Sequence, residues 1–274
     1  MERVAIPDRF RDKVAIVTGG SNGIGLAIVR ELCREGARVS FTGRSDAGYE
    51  VEKQLTADGY QVQFLQGDMI DEAFCRKIAA ETLRRWHQVN YLVNNAFSFT
   101  AKGLDATADD WQRSFFTGPV AYARMVQSVV EPMKQAGGGA IVNMSSISAH
   151  IAQVSRWTYN AAKGAVNQLT RCQALDLAKY RIRVNSVSPG WIWTREVEKA
   201  SQIDGGGREK WEPVWGEYHM LERCGEPVEC AGPTLFLLSD DASFVTGVDL
   251  PIDGGYLSIG PEGIGKTTVI AGSN

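Results

Sequence analysis

The sequence predicts an α/β protein built on a doubly wound parallel sheet of about seven strands, with helices on both faces. Three observations carry this. Short β-rich runs alternate with longer stretches of helical period, most of the runs are apolar at successive positions, and a glycine-rich turn joins the first strand to the first helix. Successive apolar residues mark strands covered on both faces. Strand-helix alternation implies parallel pairing through right-handed crossovers.

Strands are expected at 13–18, 38–42, 61–65, 90–94, 140–144, 182–187 and 248–252. The clearest helix places Ile24, Ile28, Val29 and Leu32 on one face and stops at Gly36, a residue suited to the position after a helix end. Two stretches break the rhythm. Residues 195–225, with Trp211, Trp215 and the Gly205-Gly206-Gly207 run, read as a mobile insertion that covers a substrate. The tail 257–274 follows the last strand with little to bury itself against. With no low-complexity linker and no internal repeat, 1–274 reads as a single domain.

Composition narrows the class. An apolar fraction of 44% and a charged fraction of 22% suit an ordinary globular protein. The formal net charge of −3 gives no electrostatic reason to expect nucleic acid or an anionic membrane. No apolar run approaches the roughly 20 residues of a membrane helix. The start, Met1 to Asp8, lacks the apolar stretch of a secretion signal, so a cytoplasmic protein is expected. The cysteines Cys33, Cys75, Cys172, Cys224 and Cys230 form no Cys-x-x-Cys pair and read as reduced. His87, His150 and His219 lie too far apart for a local metal motif, and no metal is expected.

The first turn reads Thr18-Gly19-Gly20-Ser21-Asn22-Gly23-Ile24-Gly25. Glycines after a strand let backbone amides approach a pyrophosphate, and the helix that follows presents unpaired N–H groups and a positive dipole end. A glycine-rich turn that binds nothing is the bland alternative. With this fingerprint the chain resembles the short-chain dehydrogenase/reductase family, over about residues 10–256. The resemblance implies a Rossmann-type dinucleotide-binding fold and a nicotinamide cofactor. Gly43 stands where NAD-selective relatives carry an acid, and Arg44 follows, able to pair with a 2′-phosphate. NADP(H) is therefore favoured and NAD(H) remains possible, since Asn22 stands where many NADP-preferring relatives have a second basic residue. The family pattern puts Asp68 and Met69 beside the adenine. It uses Asn95 and Ala96, after Asn94, to shape the cofactor floor, with Phe97 here replacing a glycine.

Reduction of a carbonyl needs a proton donor and a second hydrogen bond to the developing oxyanion. Tyr159 and Lys163 lie four residues apart, on one face of a helix. A nearby ammonium favours the phenolate, so Lys163 is expected to lower the Tyr159 pKa. By resemblance it also holds the nicotinamide ribose. Ser146 precedes Tyr159 by 13 residues, the family's spacing for its catalytic serine, with Ser145 as the competing neighbour. The family's relay Asn is absent: Gly118, followed by Pro119, occupies its place and is expected to interrupt the helix. Pro189, Gly190, Ile192 and Thr194 match the Pro-Gly-x-x-x-Thr motif, whose threonine and Ile192 backbone bind the carboxamide. Asn185 reads as structural.

Phe97, Phe99, Trp191, Trp193, Trp211 and Trp215 fall in or near loops expected around the nicotinamide, and half or more of them read as packing or subunit contact. No basic cluster suggests a phosphate or coenzyme A tail, so a small uncharged cyclic alcohol, ketone or sugar is expected. Gly260 to Thr267 fits the nucleotide P-loop spacing but lacks the strand-loop-helix setting that such a loop needs. The leading expectation is an NAD(P)-dependent oxidoreductase working through Ser146, Tyr159 and Lys163, assembled by resemblance as a homotetramer or homodimer. The competing expectation is a cofactor-binding sensor or scaffold of the same fold.

Overall fold

The computed structural model describes residues 3–203, 205–260 and 263–264. In chain order its first half comprises β1 (Val14–Val17), α1 (Gly23–Arg34), β2 (Arg38–Gly43), α2 (Ala47–Ala57), β3 (Val62–Gln66), α3 (Glu72–Trp86) and β4 (Tyr91–Asn94). There follow α4 (Ala108–Thr117), α5 (Pro119–Gln135), β5 (Gly139–Met144), α6 (Trp157–Leu177), β6 (Ile182–Pro189), α7 (Arg195–Ile203), α8 (Gly207–Gly216), α9 (Pro227–Leu238) and β7 (Asp249–Ile252). The strands form a seven-stranded sheet in the order β3-β2-β1-β4-β5-β6-β7. Every neighbouring pair runs parallel.

β1 shows why the sheet is covered twice. All four of its residues are buried. Ala15 and Val17 join the apolar cluster that holds Ile28, Leu32 and Leu235 of α1 and α9. Ile16 joins the other, with Ile78, Met125 and Val166 of α3, α5 and α6. Each such side chain contributes about 1.5–3 kcal/mol on full burial, so α1 and α9 are held to one face and α3, α5 and α6 to the other.

The chain winds outward from β1 to β3, then returns to place β4 on the other side of β1. Ligands of open α/β sheets bind outside the strand carboxyl ends at such a reversal. The expected interruption at Gly118 is present: α4 ends at Thr117 and α5 begins at Pro119, where a missing N–H costs nothing.

Residues 195–225, read from sequence as an insertion, contain the helices α7 and α8. The segment is closed at its base. The Trp193 N–H donates to the Gly225 carbonyl at 2.7 Å, and the Gly225 N–H to the Trp191 carbonyl at 2.8 Å. Of the P-loop-like stretch, only Gly260, Gly263 and Ile264 fall among the described residues, and most of the tail lies outside them. No helix among the described residues is long and apolar enough to cross a membrane.

Candidate active site

The turn after β1 is held from two sides. Thr18 Oγ1 accepts the N–H groups of Asn95 (3.0 Å) and Ala96 (3.1 Å). Asn95 Nδ2 donates to the carbonyls of Thr18 and Gly19, each at 3.0 Å. This locks the exit of β4 onto the exit of β1. Glycine is required at two points here. Gly19 has φ +67°, and a Cβ on Gly25 would stand 2.2 Å from the Gly19 carbonyl oxygen. Asn22 leads into α1 without capping it, and no acid stands in the first turn. The first amides of α1 therefore face the cleft without a side-chain partner, a setting suited to an anion.

That cleft has a volume of about 420 Å³. Gly19, Ser21, Asn22, Gly23, Ile24 and Gly25 form one wall, and Asp68, Met69, Asn95, Ala96 and Thr194 face them. Arg44 also lines the cleft, its side chain 61% exposed and its guanidinium 3.9 Å from Asp68. Asp68 is held more closely by Arg113, at 3.0 Å, so Arg44 is the less committed cation. A Cβ on Gly43 would come within 2.4 Å of Ser21 Oγ, so a larger residue there forces the Ser21 hydroxyl aside. The glycine cradle and the uncapped helix start fit the pyrophosphate of a dinucleotide.

The second hollow, of about 650 Å³, is walled by Ser146, Tyr159, Lys163 and the turn of Pro189, Gly190 and Ile192. Both hollows share Ile24, Asn95, Phe97, Phe99 and Thr194, so they form one continuous crevice. β5 delivers the serines. Ser145 Oγ donates to the Lys163 carbonyl at 3.3 Å. Ser146 Oγ accepts the Ser148 N–H at 3.1 Å and lies against the Tyr159 phenol. Of the two candidates, Ser146 is thus the one at the phenol. Lys163 is 2% exposed, and its Nζ donates to the Met144 carbonyl at 2.8 Å.

The electrostatics correct one expectation. Burial pushes the Tyr159 phenol above its ordinary value, and what offsets this is the Ser146 hydrogen bond and the Arg156 charge. Lys163 is not among the charges that lower it, and burial drives the lysine's own pKa from 10.5 down to about 7. Phenolate and ammonium are both costly in this desolvated pocket, so each group is pushed toward neutrality. A phenol, a hydroxyl and a near-neutral amine can together hold one substrate oxygen and move a proton to it.

Phe97 bears directly on this group. Its ring lies edge-on to Tyr159 at 5.4 Å, and Lys163 Nζ sits 4.2 Å above its centroid. A Cβ on Gly118 would be 2.6 Å from the Phe97 ring and 2.8 Å from the Ser114 carbonyl. The ring therefore fills the space beside Gly118, and the two departures from the family pattern occur in contact.

Among the expected aromatics, Phe97, Phe99, Trp191 and Trp215 line the hollow. Trp193 and Trp211 instead pack against Trp215, with centroids 5.7 and 5.4 Å away. Trp191 stacks on Trp215 at 4.9 Å. His219 ties the pair together. Its Nε2 accepts the Trp191 N–H at 3.3 Å, which leaves Nδ1 to donate to the Trp215 carbonyl at 3.1 Å. Burial pushes its pKa below the usual value, in keeping with a neutral ring. Sequence reasoning did not single out Gln153 or Arg156, which also line the hollow. The available signal was the placement of Arg156 one helical turn before Tyr159.

A carbonyl held in this crevice meets a dinucleotide cleft on one side and a proton donor on the other, the working geometry of nicotinamide-dependent oxidoreductases. Residues 19–257 match the family model described as Enoyl-(Acyl carrier protein) reductase. Cyclopentanol dehydrogenase of Comamonas testosteroni is 36% identical over 250 residues, which is 90% of this chain and 98% of that protein. The NADP-dependent (R)-specific alcohol dehydrogenase of Lentilactobacillus kefiri is 35% identical over 254 residues, 91% of this chain and 98% of that protein. Aldohexose dehydrogenase of Thermoplasma acidophilum, solved in ligand-free form, matches with a TM-score of 0.85 at 30% identity, covering 93% of this chain and 98% of that one. The chain belongs to the short-chain dehydrogenase/reductase family and is an oxidoreductase.

Proposed function

We propose that this oxidoreductase prefers NADP(H) and acts on a ring-bearing secondary alcohol or the matching ketone. The observation that carries the reading is the continuity of the glycine-walled cleft with the hollow at whose wall Ser146, Tyr159 and Lys163 meet. In this reading the amides from Gly19 to Gly25 hold the pyrophosphate, and Asp68, Met69, Asn95 and Ala96 border the adenosine half. Lys163 holds the nicotinamide ribose, while Thr194 and the Ile192 backbone, set by the Pro189-Gly190 turn, hold the carboxamide. When bound, the cofactor supplies or takes up the hydride. Tyr159 hands its phenolic proton to the carbonyl oxygen during reduction and takes it back during oxidation. Ser146 donates the second hydrogen bond to that oxygen.

The preference for the phosphorylated cofactor is supported by Gly43, which leaves the Ser21 hydroxyl in place, and by the weakly committed Arg44 beside it. The Lentilactobacillus relative is named as NADP-dependent. The cyclopentanol and aldohexose names of two relatives, with the Trp191 and Trp215 walls, support a ring-shaped substrate. Self-association as a homotetramer or homodimer rests on the family resemblance.

Oxidation of cyclic alcohols with NADP⁺ and NAD⁺ in parallel, wild type against Tyr159→Phe, tests the reading. The variant is expected to lose about 10²–10⁴-fold in kcat while still binding cofactor. Wild-type turnover no faster than the variant's, with cofactor binding intact, would leave a sensor or scaffold as the function.

A further inference from the structure

We propose that Arg156, with Gln153, is a carboxylate-binding subsite, so that the substrate is a ring-bearing hydroxy or oxo acid. This rests on the proposed dehydrogenase reading and narrows its substrate class.

Arg156 is the residue that leads into α6, and it lines the hollow next to Tyr159. Its guanidinium lies 5.6 Å from the Phe99 centroid and 5.9 Å from that of Trp191, so two aromatic faces hold it at the pocket wall. Other charged groups at that wall are engaged. Lys199 pairs with Glu196 at 2.9 Å, and Lys163 donates to the Met144 carbonyl. The Arg156 side chain makes no hydrogen bond or ion pair with any described residue, and its nitrogens are not among the buried unpaired atoms. It is therefore a half-buried cation at the pocket wall with no acidic partner among the described residues.

Gln153 adds a second donor. Its Oε1 accepts the Ser148 hydroxyl at 2.6 Å, which leaves its NH₂ group without an acceptor among the described residues, in a side chain that lines the hollow. A planar guanidinium fork matches a carboxylate bidentately. The aromatic walls admit a ring beside it but offer no further cation for a phosphate. Arg156, just ahead of α6, and Tyr159, in its first turn, line the same hollow. A carboxylate on Arg156 therefore holds a ring with its hydroxyl or carbonyl carbon at the phenol.

The test uses quenching of tryptophan fluorescence in the NADP⁺-loaded protein, titrated with cyclohexanecarboxylate and with the neutral cyclohexanecarboxamide. Wild type is expected to bind the acid about 10- to 100-fold more tightly, the span of a charge-assisted pair. Arg156→Gln is expected to erase that difference, and Arg156→Lys to keep part of it. Equal binding of acid and amide by wild type, or an undiminished preference in Arg156→Gln, overturns the proposal. Because the titration needs no turnover, Tyr159→Phe is expected to keep the preference. A protein with the acid preference but no oxidation of hydroxycyclohexanecarboxylate supports the subsite and counts against the dehydrogenase reading.

Discussion

Lys163 gives the most direct test of the site's electrostatics. Its amine is 2% exposed and falls from 10.5 to about 7 through burial alone. Below about pH 7 the lysine is charged in both folded and unfolded chains, and the desolvation cost of the folded state is present in full. Between about 7 and 10.5 the unfolded chain binds a proton that the folded one does not, so stability rises with pH. Above that range both are neutral and the cost has gone. With those two values, the linkage relation gives a gain of about 2.5 kcal/mol between roughly pH 6.5 and pH 9. Lys163→Met lacks this titration but shares every other group, so the difference between the two stabilities isolates it. Urea unfolding of both proteins without cofactor, across that range, is the assay. The stability advantage of Lys163→Met should shrink by about the same 2.5 kcal/mol as pH rises. Parallel profiles, offset by a constant, would mean that the buried amine stays protonated and that the near-neutral pair with Tyr159 is wrong.

Two further outcomes follow from contacts already described. Gly118→Ala places a methyl group 2.6 Å from the Phe97 ring and 2.8 Å from the Ser114 carbonyl, an overpacking that costs about 1–3 kcal/mol. Thermal unfolding should show that cost reduced by roughly half or more in a Phe97→Ala background, and an equal cost in both backgrounds would deny the contact its role. Arg44→Ser should weaken NADPH binding about 10- to 100-fold in a fluorescence titration while leaving NADH nearly unmoved. An equal loss for both cofactors would mean that Arg44 meets the shared part of the dinucleotide.

The sheet was legible because a doubly covered strand must be apolar at consecutive positions. Ala15, Ile16 and Val17 announce both cores at once, and the expected strand at 38–42 ends within a residue of the observed Arg38–Gly43. Helix period alone put Tyr159 and Lys163 on one face, and a strand-to-helix turn marked Gly19–Gly25. Ser146 and Thr194 were singled out instead by the family's spacing and motif, and all four of these residues line one crevice with that turn. α7 and α8 were not legible, since the Gly205-Gly206-Gly207 run breaks the stretch into helices of only 9 and 10 residues and the segment is closed at Gly225. Arg156 was invisible for a different reason. An arginine ahead of a helix reads as a solvated charge until Phe99 and Trp191 are seen on either side of it. The direction of the Tyr159 shift was also misread, because sequence gives the proximity of an amine but not the burial that discharges it.

That burial also explains why the two departures at 97 and 118 belong together. An asparagine at 118 would need the space that the Phe97 ring occupies, since even a Cβ there meets the ring. The ring cannot pass a proton, but its face lies 4.2 Å from Lys163 Nζ and favours the charged amine that burial opposes. The Met144 carbonyl accepts from the same nitrogen on another side. On these two sides the amine is held without being given a proton route, while the residue also lines the crevice that Tyr159 and Ser146 wall. An Asn at 118 can reach toward that amine only in a chain that also lacks the ring at 97, because the ring holds the space its side chain needs.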